Sequence, residues 1–250
     1  MDGRHLVLDQ VQMNQRSFWR NPESAFFSFA MPLGVLLIFG ATTTSESIPG
    51  RNVDVITLFV PGILAFAIVV IAYGNLAATV ASQRADGVLK RLRATPLDPS
   101  LYLAGQLAST LLTTLLIAAT TIAAGGLVFG ALPRGAALPQ LAIVLAVGIA
   151  CFTALGLAVS ALIPTADSAG AITNGTYLPL AMVSGMFSVS LHLPTTIDRL
   201  VSLFPLKALA DGLRAAYDPA VHGLPVGEIA VLLAWTVIGV LLVLRFFKWD

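Results

Sequence analysis

The chain has 250 residues, of which 57% are hydrophobic and only 11% are charged. A soluble domain usually carries about 25% charged residues, and the mean hydropathy of this chain is +0.87, so the composition excludes an ordinary soluble fold. The formal net charge of +1 identifies no partner, and only the distribution of the charges along the chain is informative.

Long stretches without a charged residue indicate where the chain crosses a membrane. A hydrocarbon core about 30 Å thick requires roughly 20 residues of helix, and a helix satisfies its own backbone hydrogen bonds where water is absent. Five charge-free runs contain 22 to 35 residues: 24–45, 55–83, 99–133, 135–166 and 168–197. A sixth run, 229–244, has 16 residues, which Arg245 can lengthen by extending its charged end toward the interface. We therefore predict an all-α membrane protein whose six transmembrane helices lie at 24–41, 56–78, 102–129, 139–163, 168–188 and 227–246.

Residues 4–21, before the first predicted crossing, are predicted to form an amphipathic helix that lies in the membrane interface. On a helical wheel, Asp9, Arg16 and Arg20 fall on one side of this helix. The other side is apolar apart from Gln15 and contains Val7, Leu8, Val11, Phe18 and Trp19. The helix is expected to end at Asn21, because the residue before a proline disfavours helical geometry.

The basic residues indicate which side of the membrane each connecting segment faces. Nine lie in one alternating set of segments: Arg4, Arg16, Arg20, Arg84, Lys90, Arg91, Arg93, Arg245 and Lys248. The other set has five: Arg51, Arg134, Arg199, Lys207 and Arg214. Because positively charged segments face the cytoplasm, we predict a multi-pass protein of the plasma (inner) membrane with both termini in the cytoplasm.

The stretch RADGVLKRLRATPL, residues 84–97, joins the second and third predicted crossings and combines basic residues with a helical pattern. Ala85, Val88, Leu89 and Leu92 fall on one side of a helix, and the charged residues fall outside that arc. Pro96 ends the pattern. Two interpretations remain open, a helix that docks on another protein and a basic loop that only fixes the orientation of the chain.

This stretch resembles the signature of ABC-2-type ABC transporter permeases, which reads roughly R-E/D-x-G-x-L-x-x-L-x-x-T-P between the second and third crossings. It is more similar to the drug-exporting branch, the daunorubicin-resistance permease type, than to the polysaccharide branch. The N-terminal amphipathic helix, the six crossings and a broken external segment fit the same family over essentially the whole length. The chain departs from the pattern at Ala85, where many members carry Glu, and Asp86 is the neighbouring acid.

The resemblance implies that 84–97 is a coupling helix, which contacts a separate ATP-binding cassette ATPase subunit. The residues that it implicates are Arg84, Asp86, Gly87, Lys90, Arg91, Arg93 and Pro96. It also implies a second permease copy, in a homodimer or heterodimer, and export of an amphipathic drug-like or lipid-like substrate. We expect ATP and magnesium on the ATPase subunit, no cofactor in this chain and no nucleic-acid partner.

The sequence offers little for the competing classes of membrane protein. A Walker A motif requires Gly-Lys, and the three lysines follow Leu89, Leu206 and Phe247, so the chain is predicted to be a transport subunit and not an enzyme. An ion-coupled secondary transporter or a channel without an ATPase remains the alternative. Such carriers usually place ionisable residues inside the membrane, and the predicted crossings hold almost none. Neither H-E-x-x-H nor G-x-S-x-G occurs, which argues against hydrolytic chemistry.

Residues 190–224 are predicted to form an extracellular helical hairpin, in which Pro205 separates two short amphipathic helices. Its apolar residues recur at three and four positions: Ile197, Leu200, Val201, Phe204, Leu206, Leu209 and Leu213. In the ABC-2 family such a hairpin closes the outer end of the pathway, whereas a plain surface loop is the alternative.

Polar residues within the crossings are candidates for lining the pathway or a dimer seam. The alternative, which we favour, is that they form hydrogen bonds between neighbouring helices. The candidates are Asn75, Thr79, Thr173, Asn174, Tyr177 and Ser184.

Overall fold

The computed structural model describes residues 3–43, 53–88, 99–187 and 195–246, which fold into helices numbered here α1 to α9. Helix α1 is Gly3–Arg20. Helix α2 comprises Pro22–Ala25, a π-helical segment at Phe26–Ala30 and Met31–Thr43. Helix α3, Val55–Ala85, contains a second π-helical segment at Val70–Asn75. The others are α4 Pro99–Phe129, α5 Leu138–Ser160, α6 Ser168–Val183, α7 Thr195–Val201, α8 Pro205–Tyr217 and α9 Val226–Phe246.

The prediction of an all-α membrane protein is confirmed. Among the described residues, five stretches are long and apolar enough to cross a membrane: Phe26–Thr43, Val55–Ala85, Leu101–Phe129, Gly135–Ser160 and Val226–Phe246. They match five of the six predicted crossings. Helix α6 occupies the remaining one but has only 16 residues, which at 1.5 Å per residue cover about 24 Å. The six-crossing topology therefore stays a prediction.

Helix α3 lies at the centre of the bundle and α9 at its edge. In the most apolar window of each helix, 89% of α3 is buried inside the protein but only 11% of α9. Helices α2, α4, α5 and α8 pack around α3, and α9 packs on α5 and α8. The side chains of α9 that the protein leaves exposed are mainly Leu and Val, as expected of a helix that faces lipid.

The bundle has two ends, which we name after the arginines found there. At the Arg84 end, α3 finishes beside the turn between α5 and α6, and the Arg84 guanidinium donates a hydrogen bond to the Ile163 carbonyl. At the Arg214 end, α3 begins beside α8, and Arg214 Nε donates to the Leu58 carbonyl at 3.2 Å. The Arg84 end thus leads into two segments that the sequence assigns to the cytoplasm, 79–101 and 164–167.

Two short helices occupy the region between α6 and α9, as the apolar periodicity predicts. Helix α8 begins at Pro205, the predicted break, and the preceding helix α7 ends at Val201. Leu206, Leu209 and Leu213 are at most 2% exposed, because α8 packs between α3, α5 and α9. This helix is therefore part of the core of the bundle and not a surface loop.

Candidate functional site

The basic stretch 84–97 is described only at its start. Arg84, Asp86 and Gly87 lie in the described residues, and Val88 is helical. Four of the implicated residues, Lys90, Arg91, Arg93 and Pro96, lie outside them. The role of this stretch as a coupling helix therefore stays a prediction.

The start of the stretch differs in one respect from the predicted helix. Arg84 and Ala85 are the last residues of α3, and Gly87 has a φ of +69°, a left-handed conformation that glycine adopts without the strain other residues incur. The Gly87 amide donates to the Arg84 carbonyl at 3.1 Å. A helix cannot run without interruption through this turn, so the membrane-crossing helix ends before Gly87 and the chain changes direction there.

Helix α1 packs lengthwise on the first turns of α4, which places it at the Arg84 end. Gln15, the one polar residue on its predicted apolar side, forms hydrogen bonds to α4. Its Nε2 lies 2.9 Å from the Ser109 carbonyl and 2.8 Å from Thr113 Oγ1. Gly105 allows the close approach, because a methyl group there would lie 2.5 Å from Gln10 Cγ. The side-chain amide of Gln15 thus helps to attach helix α1 to helix α4.

Some apolar side chains of α1 pack against the rest of the protein, and others face its surroundings. Val7, Val11 and Phe18 are half-buried, whereas Leu8 and Trp19 are exposed. Leu8 and Trp19 thus present apolar side chains outward, as expected of a helix that lies in the membrane interface.

A polar cavity of about 150 Å³ lies between α1, α3 and α4, and we call it the amide cavity. It brings together two of the predicted candidates, Asn75 and Thr79, on α3. The polar residues that line it are Asn14, Ser17, Asn21, Asn75, Thr79, Gln83, Gln106, Ser109, Thr110 and Thr113. No charged side chain from the described part of the chain lines it.

Asn75 also links the two π-helical segments. Its Nδ2 donates to Ser28 Oγ at 2.5 Å, and Ser28 is completely buried in the π-helical segment of α2. Segments of this kind inside α-helices are frequent at functional sites, and here one of them directs Asn75 to the wall of the amide cavity.

The candidates on α6 and at its end differ in burial. Thr173, Tyr177 and Ser184 are buried. Thr173 Oγ1 donates to the Ala169 carbonyl at 2.8 Å and Ser184 Oγ to the Leu180 carbonyl, so both hydroxyls are bonded within the α6 segment itself. Asn174, the residue after Thr173, is exposed. The assignment of these four residues to a pathway or a dimer seam therefore stays a prediction.

An apolar cavity of about 330 Å³ lies between α3, α5, α6, α8 and α9, and Tyr177 is among the residues that line it. The Tyr73 hydroxyl is bonded to Thr176 Oγ1 at 2.7 Å at its wall. At its other side, Trp235 of α9 stacks on Phe204 with ring centroids 6.3 Å apart. The two cavities therefore differ in chemistry: amides and hydroxyls line one, aromatic and aliphatic side chains the other.

A network of charged residues ties α7 and α8 to the bundle at the Arg214 end. Lys207 Nζ lies 3.1 Å from Asp198 and 3.2 Å from Asp211, and Arg214 lies 3.1 Å from Asp211. Arg214 also donates to the Gly185 carbonyl just beyond α6. Burial alone would lower the pKa of Lys207, but the carboxylates of Asp211 and Asp198 more than offset it and raise the pKa above its usual value. Lys207 therefore remains charged throughout the physiological pH range.

Comparison with models of protein families identifies the family to which the chain belongs. The model of the ABC-2 type transporter family matches residues 11–217. The chain belongs to the ABC-2 type transporter family. No protein of curated function matches the chain significantly.

Family membership makes this ABC-2 permease a multi-pass membrane transport subunit that is not itself catalytic. The matched region begins within α1 and ends at Tyr217, the last residue of α8. It therefore includes the basic stretch, the amide cavity and the charged network.

Sequence reasoning missed two groups of residues in this ABC-2 permease. The first is the polar side of α4, although Gln106, Ser109, Thr110 and Thr113 recur at three and four positions in an apolar helix, a signal of one polar face. The second is the charged network around Arg214. The sequence shows no comparable signal for it, because a charged residue between two crossings is ordinarily exposed.

Proposed function

We propose that this permease is the membrane-spanning subunit of an ATP-driven exporter, and that two permease copies work with two copies of a separate ATPase subunit. The ABC-2 family match over residues 11–217 carries the proposal. In such an assembly, ATP and magnesium bind the ATPase subunit, and the permease supplies the coupling surface and the pathway.

The contacts of Arg84 support a role for the basic stretch in coupling. A force applied to residues 84–97 acts on the end of α3, the most buried of the five long helices. Because Arg84 is bonded to the Ile163 carbonyl, the same force also reaches the turn between α5 and α6. We propose that ATP-driven closure of the ATPase subunits moves α3 and this turn together.

The apolar cavity supports an amphipathic, drug-like or lipid-like substrate. A charged or strongly hydrophilic solute would lose its hydration among Phe152, Leu155 and Trp235 without compensation. An apolar group gains free energy there at about 25 cal/mol per Å² of surface removed from water.

The free face of α6 supports a second copy of the chain. Gly170, Ala171, Asn174 and Gly175 are exposed there, and small residues with an amide are typical of contacts between membrane helices. We propose that this face lies in the dimer seam. The exporter is proposed to act in the plasma membrane, with both termini of the permease in the cytoplasm.

The test is a charge reversal in the basic stretch. The permease is purified with any ATPase subunit that accompanies it, and substrate-stimulated ATP hydrolysis is compared between the wild type and the Arg91→Glu, Arg93→Glu double variant. We expect the double variant to lose the ATPase subunit and at least about tenfold of the stimulated activity, because charge complementarity fixes such interfaces.

The matched control is Arg199→Glu, which reverses an exposed basic residue on α7 at the other end of the bundle. It is expected to retain both the subunit and the activity. A folded wild-type protein that transports without any ATPase subunit would contradict the proposal and support the ion-coupled carrier.

A further inference from the structure

Two of the residues that line the amide cavity carry buried hydrogen-bonding groups that have no partner among the described residues. Gln106, which lines the cavity, is only 4% exposed, and its Oε1 has no hydrogen-bond partner among the described residues. Asn14 Nδ2, on the α1 side, is likewise buried without a partner in the described part of the chain. A buried polar group without a partner costs about 1–3 kcal/mol, so a bound molecule that completes these bonds is favoured.

The two unsatisfied groups restrict the chemistry of that molecule. Gln106 Oε1 is an acceptor and Asn14 Nδ2 is a donor, so a group that satisfies both must donate and accept. A hydroxyl does both, whereas an ionised phosphate only accepts and a quaternary ammonium does neither. No charged side chain lines the cavity in the described residues, which also disfavours an anion.

The size and walls of the cavity favour a small polyol. Its volume of about 150 Å³ equals that of about five waters in the liquid, which is enough for the three carbons and three oxygens of a glycerol unit. Phe18, Ile71 and Leu76 contribute apolar wall to the same cavity, as the carbon atoms of a polyol require.

The position of the cavity points to the membrane interface. Gln106 and Thr113 lie in the first half of the apolar stretch Leu101–Phe129, and Asn75 and Thr79 in the last half of Val55–Ala85. Helix α1 covers this level, with Trp19 exposed, and tryptophan concentrates at headgroup depth. The hydroxyl of a lipid in the adjacent leaflet is therefore within reach of the cavity.

We propose that the amide cavity binds an uncharged, hydroxyl-bearing group of about the size of glycerol. Its sources are the headgroup of a neutral lipid such as a diacylglycerol, or a free polyol from solution. The site lies between α1, α3 and α4 and does not depend on the export function proposed above.

The test uses a cysteine at the rim of the cavity. Ser17 lines the cavity and is exposed, and the native Cys151 is buried, so maleimide labelling of a Ser17→Cys variant reports access to the site. The full-length protein is placed in phosphatidylcholine nanodiscs, and labelling is measured with dioleoylglycerol added to the bilayer or with glycerol added to the solution. We expect saturable slowing of labelling by dioleoylglycerol, by glycerol or by both, and the responsive arm identifies the source.

Substitutions of residues that line the cavity test whether the protection from labelling arises there. Gln106→Leu is expected to weaken protection about tenfold, as expected for the loss of about 1.4 kcal/mol of hydrogen bonding. Gln140→Leu is the matched control, because Gln140 is also buried and its Nε2 has no partner in the described residues, but it lies at the Arg214 end beside Arg134. If Gln106→Leu fails to fold, Thr79→Val removes a hydroxyl from the same wall with little change of shape.

Two outcomes would overturn the proposal. If neither hydroxyl compound slows labelling beyond phosphatidylcholine alone, the cavity holds only water. If protection is unchanged in folded Gln106→Leu, or in Thr79→Val where that variant replaces it, the ligand binds elsewhere.

Discussion

Among the described residues, three of the four basic side chains at the Arg214 end have partners within the chain, whereas three of the four at the Arg84 end are exposed. Lys207 and Arg214 bind carboxylates and carbonyls, and Arg134 donates to the Ala215 and Val221 carbonyls at 2.9 and 2.6 Å. By contrast, Arg16, Arg20 and Arg245 at the opposite end are exposed.

This difference separates charges that hold the fold from charges that are available to a partner or to lipid headgroups. The difference also bears on which end of the bundle faces the cytoplasm. Three of the five basic residues assigned to the external side, Arg134, Lys207 and Arg214, are engaged in internal contacts. Of the nine on the other side, Arg16, Arg20 and Arg245 are exposed in the described part of the chain, which fits the expectation that the Arg84 end faces the cytoplasm.

The strongest test of this contrast is Arg214→Leu. The substitution leaves the Leu58 and Gly185 carbonyls without their donor and leaves Asp211 with a single basic partner. Because the Arg214 side chain is only 17% exposed, we expect a loss of about 3 kcal/mol in the free energy of unfolding, measured as a lower Tm in detergent.

Two variants control for this prediction. Arg199→Leu removes an exposed charge from α7 and should leave the Tm nearly unchanged. Arg214→Lys keeps the charge beside Asp211 but cannot reach two carbonyls, so it should fall between the wild type and Arg214→Leu. Equal Tm values for Arg214→Leu and Arg199→Leu would remove the distinction between the two ends.

A smaller effect is expected from Gln15→Leu at the Arg84 end. The change removes the bonds from Gln15 Nε2 to Ser109 and Thr113, for a loss of about 1.5 kcal/mol, and it leaves the polar side of α4 facing a leucine. Hydrogen exchange in α1 should become faster while that in α5 stays unchanged.

Gln12→Leu provides the comparison, because Gln12 is exposed on the same helix and should not alter the exchange of α1. Unchanged exchange in Gln15→Leu would mean that apolar contacts, and not the amide of Gln15, hold α1 on the bundle.

The sequence predicted the membrane-crossing helices because the bilayer imposes a simple rule on each of them separately. A charge-free run must form a helix, and that rule needs no knowledge of neighbouring helices. The fifth crossing is the one that the rule leaves unsettled, because α6 has only 16 residues. The turn at Gly87 was missed because a glycine in a helical pattern is compatible with both a continuous helix and a left-handed end.

The candidate sites were harder to predict because they depend on pairs of helices. Gln15 looks out of place on the wheel of α1, and only the polar side of α4 explains its position. Helix α8 was correctly expected to be amphipathic, but its periodicity does not say whether the apolar face meets lipid or the core. Arg214 is partly buried and binds the backbone carbonyls of Leu58 and Gly185. These carbonyls come from distant parts of the chain, so no sequence pattern predicts the contact.

The smallest effect concerns the one described basic residue at the Arg84 end that does have an internal partner. Arg84→Gln shortens the side chain so that it no longer reaches the Ile163 carbonyl, and we expect a loss of about 1 kcal/mol in the free energy of unfolding. Arg16→Gln, which changes an exposed arginine at the same end, should alter it by less than about 0.5 kcal/mol. The two Tm values therefore test whether Arg84 belongs with Arg214 among the charges that hold the fold. If Arg84→Gln is as stable as Arg16→Gln, the bond to Ile163 contributes nothing, and a push on residues 84–97 would act on α3 without reaching the turn between α5 and α6.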